Sequence, residues 1–346
     1  MSHGATRPTR SDAIHAAVWL ILLFSIPSTS TAAKIAKTRW RDLSPHQIYF
    51  ARVNGVKLQY LDWGGKGEAL VFLAGLGNTA HIFDDLAPKF ACCFHVLGFT
   101  RRGFGLSDKP ATGYDVATRV ADLIGLLDQL HIERVILVGH SIAGDELIEF
   151  AAKRPERTIS LVFLDATYDH STMPVAAADA ISEAVNRKLN FVTAMSSVEN
   201  FFALQKHLLG SAWAAPWEAD LRDSYLIRAD QRIEPRNSTD AVAALRKGSR
   251  ELHPDFAHIR ASALAIVALA DPIAGFNPRE RTQYQPDADA ITSWKAEQLE
   301  ILRKNGRNIR VVVLPHTDHY CFLQRPRRIT IEMMDFLHCS RHEGCH

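Results

Sequence analysis

The 346-residue chain carries almost no charge excess: 40 Lys and Arg stand against 38 Asp and Glu, a formal net charge of +2. Nucleic-acid binders show a clustered basic excess, so no nucleic-acid partner is expected. Cysteine is scarce. The five residues Cys92, Cys93, Cys321, Cys339 and Cys345 contain no CxxC pair. That argues against both a disulfide-built scaffold and a zinc ribbon. An odd number leaves at least one thiol free if all pairing is internal. Cys339 and Cys345 flank a short polar tail and are placed to pair, whereas adjacent Cys92 and Cys93 would do so only with strain. Fixed-period repeats and low-complexity tracts are absent, which removes solenoids and arrays from consideration.

Long membrane-spanning runs are missing too. The apolar stretch Ala13–Ile26 is interrupted by His15 and falls short of the roughly 20 residues a span needs. With Arg7 and Arg10 before it and small residues near Ala32 and Ala33 after it, the segment reads as a secretory signal over residues 1–33. An uncleaved N-terminal anchor is the alternative. Export, periplasmic or beyond, is therefore the expected destination, with no stable membrane span after cleavage. Hydrophobic residues make up 47% of the chain and charged residues 23%, as in globular domains. The length suits one large α/β domain with an insertion, or two small domains.

From residue 47 the pattern turns regular. Ile48–Val53 and Val56–Trp63 alternate apolar and polar residues around Asn54-Gly55, a hairpin signal. Ala69–Gly75, Cys93–Phe99, Arg134–Gly139, Ser160–Asp165, Ala263–Ala270 and Ile309–Pro315 are continuous apolar runs, as strands buried on both faces should be. Helical patterns separate them, at Asp115–Leu130, after Gly144, before Asn305-Gly306, and in the final stretch from Arg327. This order predicts a mostly parallel sheet covered on both faces. Residues 168–258 break the alternation. They hold helical patterns, no convincing strand, and bulky Phe191, Phe201, Phe202, Trp213, Trp217 and Tyr225. They read as a helical cap between core segments 34–167 and 259–346, with most of these side chains forming the cap's own interior.

One stretch, VILVGHSIAGDEL (Val135–Leu147), leaves a strand for a helix through a single residue, Ser141. So tight a corner wants small neighbours two residues before and after, here Gly139 and Ala143. This is the G-x-S-x-G nucleophile elbow with Ala in the last place. It lifts a hydroxyl to a helix N-terminus, where developing negative charge is favoured. Asp145 and Glu146, in the first turn after Ser141, read as complements to the helix dipole. Asn237-Ser238-Thr239 matches a weak glycosylation sequon.

With that elbow, LAGLGNTAHIFDDLAPKF (from Leu73), TRRGFGLSDKP (from Thr100) and LPHTDHYCFLQRP (from Leu314) appear in order. Together they make the chain resemble the α/β-hydrolase superfamily over residues 48–337. The resemblance implies that superfamily's fold, a mostly parallel eight-stranded sheet with helices on both faces and a helical cap. It implies Ser141 as nucleophile, with the backbone N–H groups of Leu76 and Ile142 as oxyanion donors. The chain has Ala74-Gly75 where relatives often carry His-Gly, which removes a supporting side chain but not the donor. His319, before Tyr320 and the final helix, is the implied base, and His316 lies where a turn residue is usual. The acid is implied at Asp271, after the strand that follows the cap, with Asp165 on the earlier strand as the alternative. Asp318 is too close in sequence to His319 to orient it.

This combination predicts an exported serine hydrolase that cleaves an ester-like bond in a small or medium, partly apolar substrate, without metal or organic cofactor. Members that act on haloalkanes or epoxides use an Asp nucleophile, and Ser141 argues against both chemistries. The rival readings are a cofactor-free haloperoxidase (perhydrolase) or an acyltransferase on the same triad, and a non-catalytic ligand-binding protein.

Overall fold

The computed structural model describes residues 40–187, 195–209, 213–237 and 239–339. The signal segment, Phe191, Ser238 and Cys345 lie outside them. Among the described residues no helix is long and apolar enough to cross a membrane.

Strands β1 (Gln47–Val53) and β2 (Val56–Gly64) form the predicted hairpin. Asn54 and Gly55 both adopt positive φ, 49° and 78°, as a two-residue turn matched to strand twist requires. Then come β3 (Ala69–Leu73), β4 (His95–Thr100), helix α1 (Val116–Gln129), β5 (Val135–His140), α2 (Ala143–Lys153) and β6 (Thr158–Leu164). The segment before the next core strand carries α3 (Val175–Arg187), α4 (Val198–Leu209), α5 (Ala215–Ser224) and α6 (Thr239–Arg250). It also carries a short antiparallel pair, β7 (Tyr225–Ile227) and β8 (Ile233–Pro235). That pair corrects the expectation of a strand-free cap. Three residues per strand leave too little alternation to read. The chain ends with β9 (Ser262–Leu269), α7 (Pro278–Asn305), β10 (Ile309–Pro315), a turn at Cys321–Gln324 and α8 (Pro326–Phe336).

The sheet has eight strands in the order β1-β2-β4-β3-β5-β6-β9-β10, parallel from β4 onward. Successive side chains on one strand enter different cores. Val71, Leu137 and Leu161 pack on one face with α1 and α2, while Phe72, Val138 and Val162 pack on the other with Phe83, Phe322 and Met333. Two buried faces explain why these strands read as unbroken apolar runs. Strand order reverses between β3 and β5, and the crevice at such a switch point is where open α/β sheets bind ligands.

Cys93 bonds Cys339 across 246 residues of sequence, tying the C-terminus to the start of β4. Cys339 is therefore not paired with Cys345. Among the described residues the free thiol is Cys321, buried. Phe201, Phe202, Leu221 and Ile233 cluster with Trp213 and Tyr225 as the cap's own interior. Trp217 instead packs into the sheet's core, 4.5 Å from the Tyr320 ring.

Candidate active site

Pairing of Leu73 with Gly139 sets the ends of β3 and β5 side by side. Ser141 follows β5 with φ of +57°, a conformation that costs a non-glycine residue energy and is held only by its surroundings. Its N–H donates to Leu164 O at 3.2 Å, and its own carbonyl accepts Gly144 N–H at 3.0 Å. A Cβ on Gly139 would meet Leu147 Cδ1 at 2.8 Å, and one on Gly144 would meet Ala166 O at 1.8 Å. The tightest small-residue requirement thus falls on Gly144, one residue beyond Ala143, because α2 leaves the elbow hard against the end of β6.

Ser141 lines a cavity of about 180 Å³ together with Leu76, Ile142 and His319. His319 follows β10, and its Nδ1 lies 2.7 Å from Asp165 Oδ2. Asp165 is the residue after β6, fully buried, with φ of +48°. Its Oδ1 accepts Ala268 N–H at 2.9 Å and the Tyr168 hydroxyl. Its Oδ2 also accepts Lys295 Nζ at 3.2 Å, and Lys295 reaches on to Ala268 O at 3.1 Å. Burial pushes the Asp165 carboxyl up, but the Lys295 charge, the His319 contact and the Tyr168 hydroxyl outweigh it and hold the group well below the usual carboxylate range. With Nδ1–H given to a carboxylate, Nε2 is the basic nitrogen of His319.

Asp271 is not that carboxylate. Its side chain is 42% exposed, accepts Arg281 at 2.8 Å, and caps its own turn through Ile273 N–H at 3.1 Å. The carboxylate that meets His319 comes from the earlier strand, where Asp165 sits fully buried and also accepts Ala268 N–H. Asp318 turns to Gln324, 3.0 Å from its Nε2, and burial raises its carboxyl to about 6. His316 is an exposed turn residue at φ +50°.

Leu76 and Ile142 line the same cavity, and among the described residues neither N–H makes a backbone hydrogen bond. The Gly75 carbonyl is held by Arg101 Nη1 at 3.0 Å and Asn78 N–H at 3.4 Å. Arg101 Nη2 also takes Ala74 O at 2.6 Å. In a trans peptide the N–H opposes the C=O, so fixing the carbonyl of Gly75 aims Leu76 N–H the other way. Arg101 therefore holds the loop that Ala74 has no side chain to hold. Arg101 is in turn gripped by buried Glu146 at 3.1 and 2.7 Å, with Arg119 at 3.5 Å. Glu146 is thus a core anchor and not a solvated helix-dipole complement, as the first-turn position alone suggests. Asp145 is buried as well, 3.4 Å from His170.

Two other residues escape a sequence reading. His140, fully buried, sends Nε2 to His319 O at 3.1 Å with its ring 4.4 Å from that of His319. Burial and His319 push it far down, so it is a neutral donor that steadies the histidine loop. Asp220 of α5 accepts Asn78 Nδ2 at 2.8 Å and Thr79 N–H at 2.6 Å, and Asn78 Oδ1 accepts the Tyr320 hydroxyl at 2.9 Å. This chain joins cap, oxyanion loop and histidine loop. The sequon's Asn237 is half-buried, its Nδ2 3.4 Å from Gly77 O.

The sequence matches the alpha/beta hydrolase family over residues 70–331. It is 26% identical over 265 residues to 2-(acetamidomethylene)succinate hydrolase of Mesorhizobium japonicum, covering 74% of this chain and 83% of that one. A crystal structure of E-2-(acetamidomethylene)succinate hydrolase superposes with a TM-score of 0.66 at 21% identity, over 85% of this chain and all of that one. A non-heme chloroperoxidase of Streptomyces lividans is 33% identical over 116 residues, 33% of this chain and 42% of its own. The family match runs from β3 into α8, so it takes in the elbow and the loops that carry Leu76 and His319, and the chain belongs to the alpha/beta hydrolase family.

Proposed function

We propose that this hydrolase cleaves ester-like bonds through an acyl-enzyme on Ser141. The observation that carries the reading is the Asp165–His319 hydrogen bond beside a cavity that Ser141, Leu76 and Ile142 also line. His319 Nε2 takes the Ser141 proton as Oγ adds to the substrate carbonyl. Charge gathers on the carbonyl oxygen, where the Leu76 and Ile142 N–H groups receive it. The C–O bond then breaks, and His319 returns the proton to the departing alkoxide. Water, deprotonated by His319, adds to the acyl carbon; the acyl–Oγ bond then breaks and His319 returns that proton to Ser141 Oγ as the acid product leaves. Asp165 stays ionised, fixing the tautomer and balancing the imidazolium. No step needs a cofactor or metal.

The wall of Met173, Pro174, Ile291 and Trp294 suits a partly apolar substrate, and the cavity size a small or medium one. The N-terminal segment and the Cys93–Cys339 bond support an exported protein, since such bonds persist in oxidising compartments. Sequencing the mature N-terminus checks this: cleavage near Ala33 is expected, and an intact Met1 would contradict it. Rates on p-nitrophenyl esters of rising chain length test the hydrolase reading. Turnover that peaks at short or medium acyl chains and vanishes in Ser141→Ala supports it, and equal turnover by Ser141→Ala would end it. The chloroperoxidase relative gives weight to a second reading, peroxide replacing water in the final step. Peracid formation that outpaces hydrolysis would favour it.

A further inference from the structure

Away from Ser141, the segment before β1 meets the short helical turn Ala80–Phe83 and its cap through four side chains: Asp42, His46, His81 and Asp84. Each offers one donor atom, and these atoms all lie within 4.8 Å of one another. His46 Nδ1 is 2.9 Å from Asp84 Oδ1, and His81 Nδ1 is 2.9 Å from Asp84 Oδ2. Asp42 Oδ2 stands 3.7 Å from His46 Nε2 and 3.6 Å from His81 Nδ1. The two imidazole rings are 4.8 Å apart and cross at 73°.

Two imidazoles and two carboxylates are a donor set for a zinc-class divalent cation. With both imidazoles neutral, the carboxylates bring two negative charges, which one such cation balances. Bonds of 2.0–2.1 Å in a tetrahedron set neighbouring donors about 3.4 Å apart. The nitrogen–oxygen approaches of 2.9 to 3.7 Å straddle that spacing. Outer support is present as well. Asp84 Oδ1 accepts the Ser44 hydroxyl at 2.7 Å and Trp63 Nε1–H at 3.0 Å, the kind of bond that orients a ligating carboxylate. The side chains of His46, His81 and Asp84 are only 4–6% exposed, whereas Asp42 is 27% exposed. The set is thus shielded on three sides and open at Asp42, which gives an ion its way in.

We propose that Asp42, His46, His81 and Asp84 form a structural site for one zinc-class divalent cation, fastening the segment before β1 to the turn that follows the oxyanion loop. Without the cation, ring protons bridge the imidazoles to Asp84. On binding, nitrogen and oxygen lone pairs bond the cation instead, and each displaced proton moves to the other ring nitrogen or to water. Four protein ligands fill a tetrahedron and leave no place for a reacting water, so the role is structural. The site stands independently of the hydrolase reading.

The test titrates the mature protein, stripped with EDTA and dialysed, with ZnCl2 and separately with CoCl2. The wild type should bind one Zn2+ per chain with a Kd below about 10 µM. Its melting temperature should rise with Zn2+, as for any ligand that binds the folded state. Bound Co2+ should show the visible absorption of four-coordinate geometry. Asp42→Asn, whose partly exposed side chain leaves the buried hydrogen bonds in place, should weaken Zn2+ by about tenfold or more. Asp42→Asn/His46→Gln should lose the Co2+ absorption and the rise in melting temperature, with circular dichroism showing that both variants fold. A wild-type Kd weaker than about 10 µM, or a Zn2+ affinity unchanged in either variant, would overturn the inference.

Discussion

Asp165 is the residue on which the proposed chemistry turns. It meets His319 at 2.7 Å and Lys295 at 3.2 Å in a site with no exposure. Asp165→Asn should lower kcat about 10⁴-fold, because an amide presents the wrong partner to Nδ1–H. Asp271→Asn, which disturbs an exposed ion pair and a turn cap away from His319, should stay within about threefold. Rates of the two variants on one ester decide it, and equal mild losses would refute the role of Asp165. The two aspartates look alike in sequence, each closing an apolar run that ends in a parallel strand. What separates them is which strand end lies against the histidine loop, a tertiary relation. Ser141, His319, Leu76 and Ile142 are legible because each depends on a local turn or an offset from one, and the structure gathers all four at one cavity.

Linkage at Asp165 has a definite sign. Its folded value is depressed, so the stability it contributes is present above the unfolded value of about 3.9 and lost as pH falls through the folded value. Lys295→Met removes the leading cause of that depression. Its acid unfolding should therefore begin at higher pH than that of the wild type, as followed by circular dichroism during titration. Coincident acid limbs would contradict the assignment.

Among the elements, the loop after β3 and the start of α2 act as one unit. Arg101 holds the Ala74 and Gly75 carbonyls, and Glu146 of α2 holds Arg101. Arg101→Met should free the Gly75–Leu76 peptide to turn and cost kcat about 10²-fold, the scale of one oxyanion donor. KM should change much less. Stopped-flow acylation rates check this, and a loss confined to KM would place Arg101 in substrate binding instead. The Arg101–Glu146 pair is hidden in sequence because first-turn acids usually serve the helix dipole, and only the fold reveals that this one is buried. Strands and helices of the sheet are legible for the opposite reason. Burial on two faces imposes long apolar runs, and Asn54-Gly55 marks its own turn. β7 and β8 are too short to leave such a trace. Gly144 is also an element-scale constraint. Gly144→Ala would drive Cβ into Ala166 O and should cost about 1–3 kcal/mol of stability, as overpacking does, measurable by urea unfolding.

For the whole molecule, the Cys93–Cys339 bond closes most of the chain into one loop. By the chain-entropy argument such a closure stabilises by roughly 4–5 kcal/mol, with typical values nearer 2–4. Cys339→Ser should lower the unfolding free energy within that range, and reductant should bring the wild type close to it. Unchanged stability would show that the bond does not form. Residues of the cap and of the sheet's C-terminal edge share the cavity beside the switch point between β3 and β5, and Ser141, His319, Leu76 and Ile142 all line it.

Labelling with a fluorophosphonate probe followed by mass spectrometry tests the central claim most directly, because the probe forms its bond only with an activated serine. The account predicts one adduct per chain, on the peptide bearing Ser141, absent from Ser141→Ala and greatly slowed in His319→Ala. An unlabelled wild type, or equal labelling of Ser141→Ala, would contradict it.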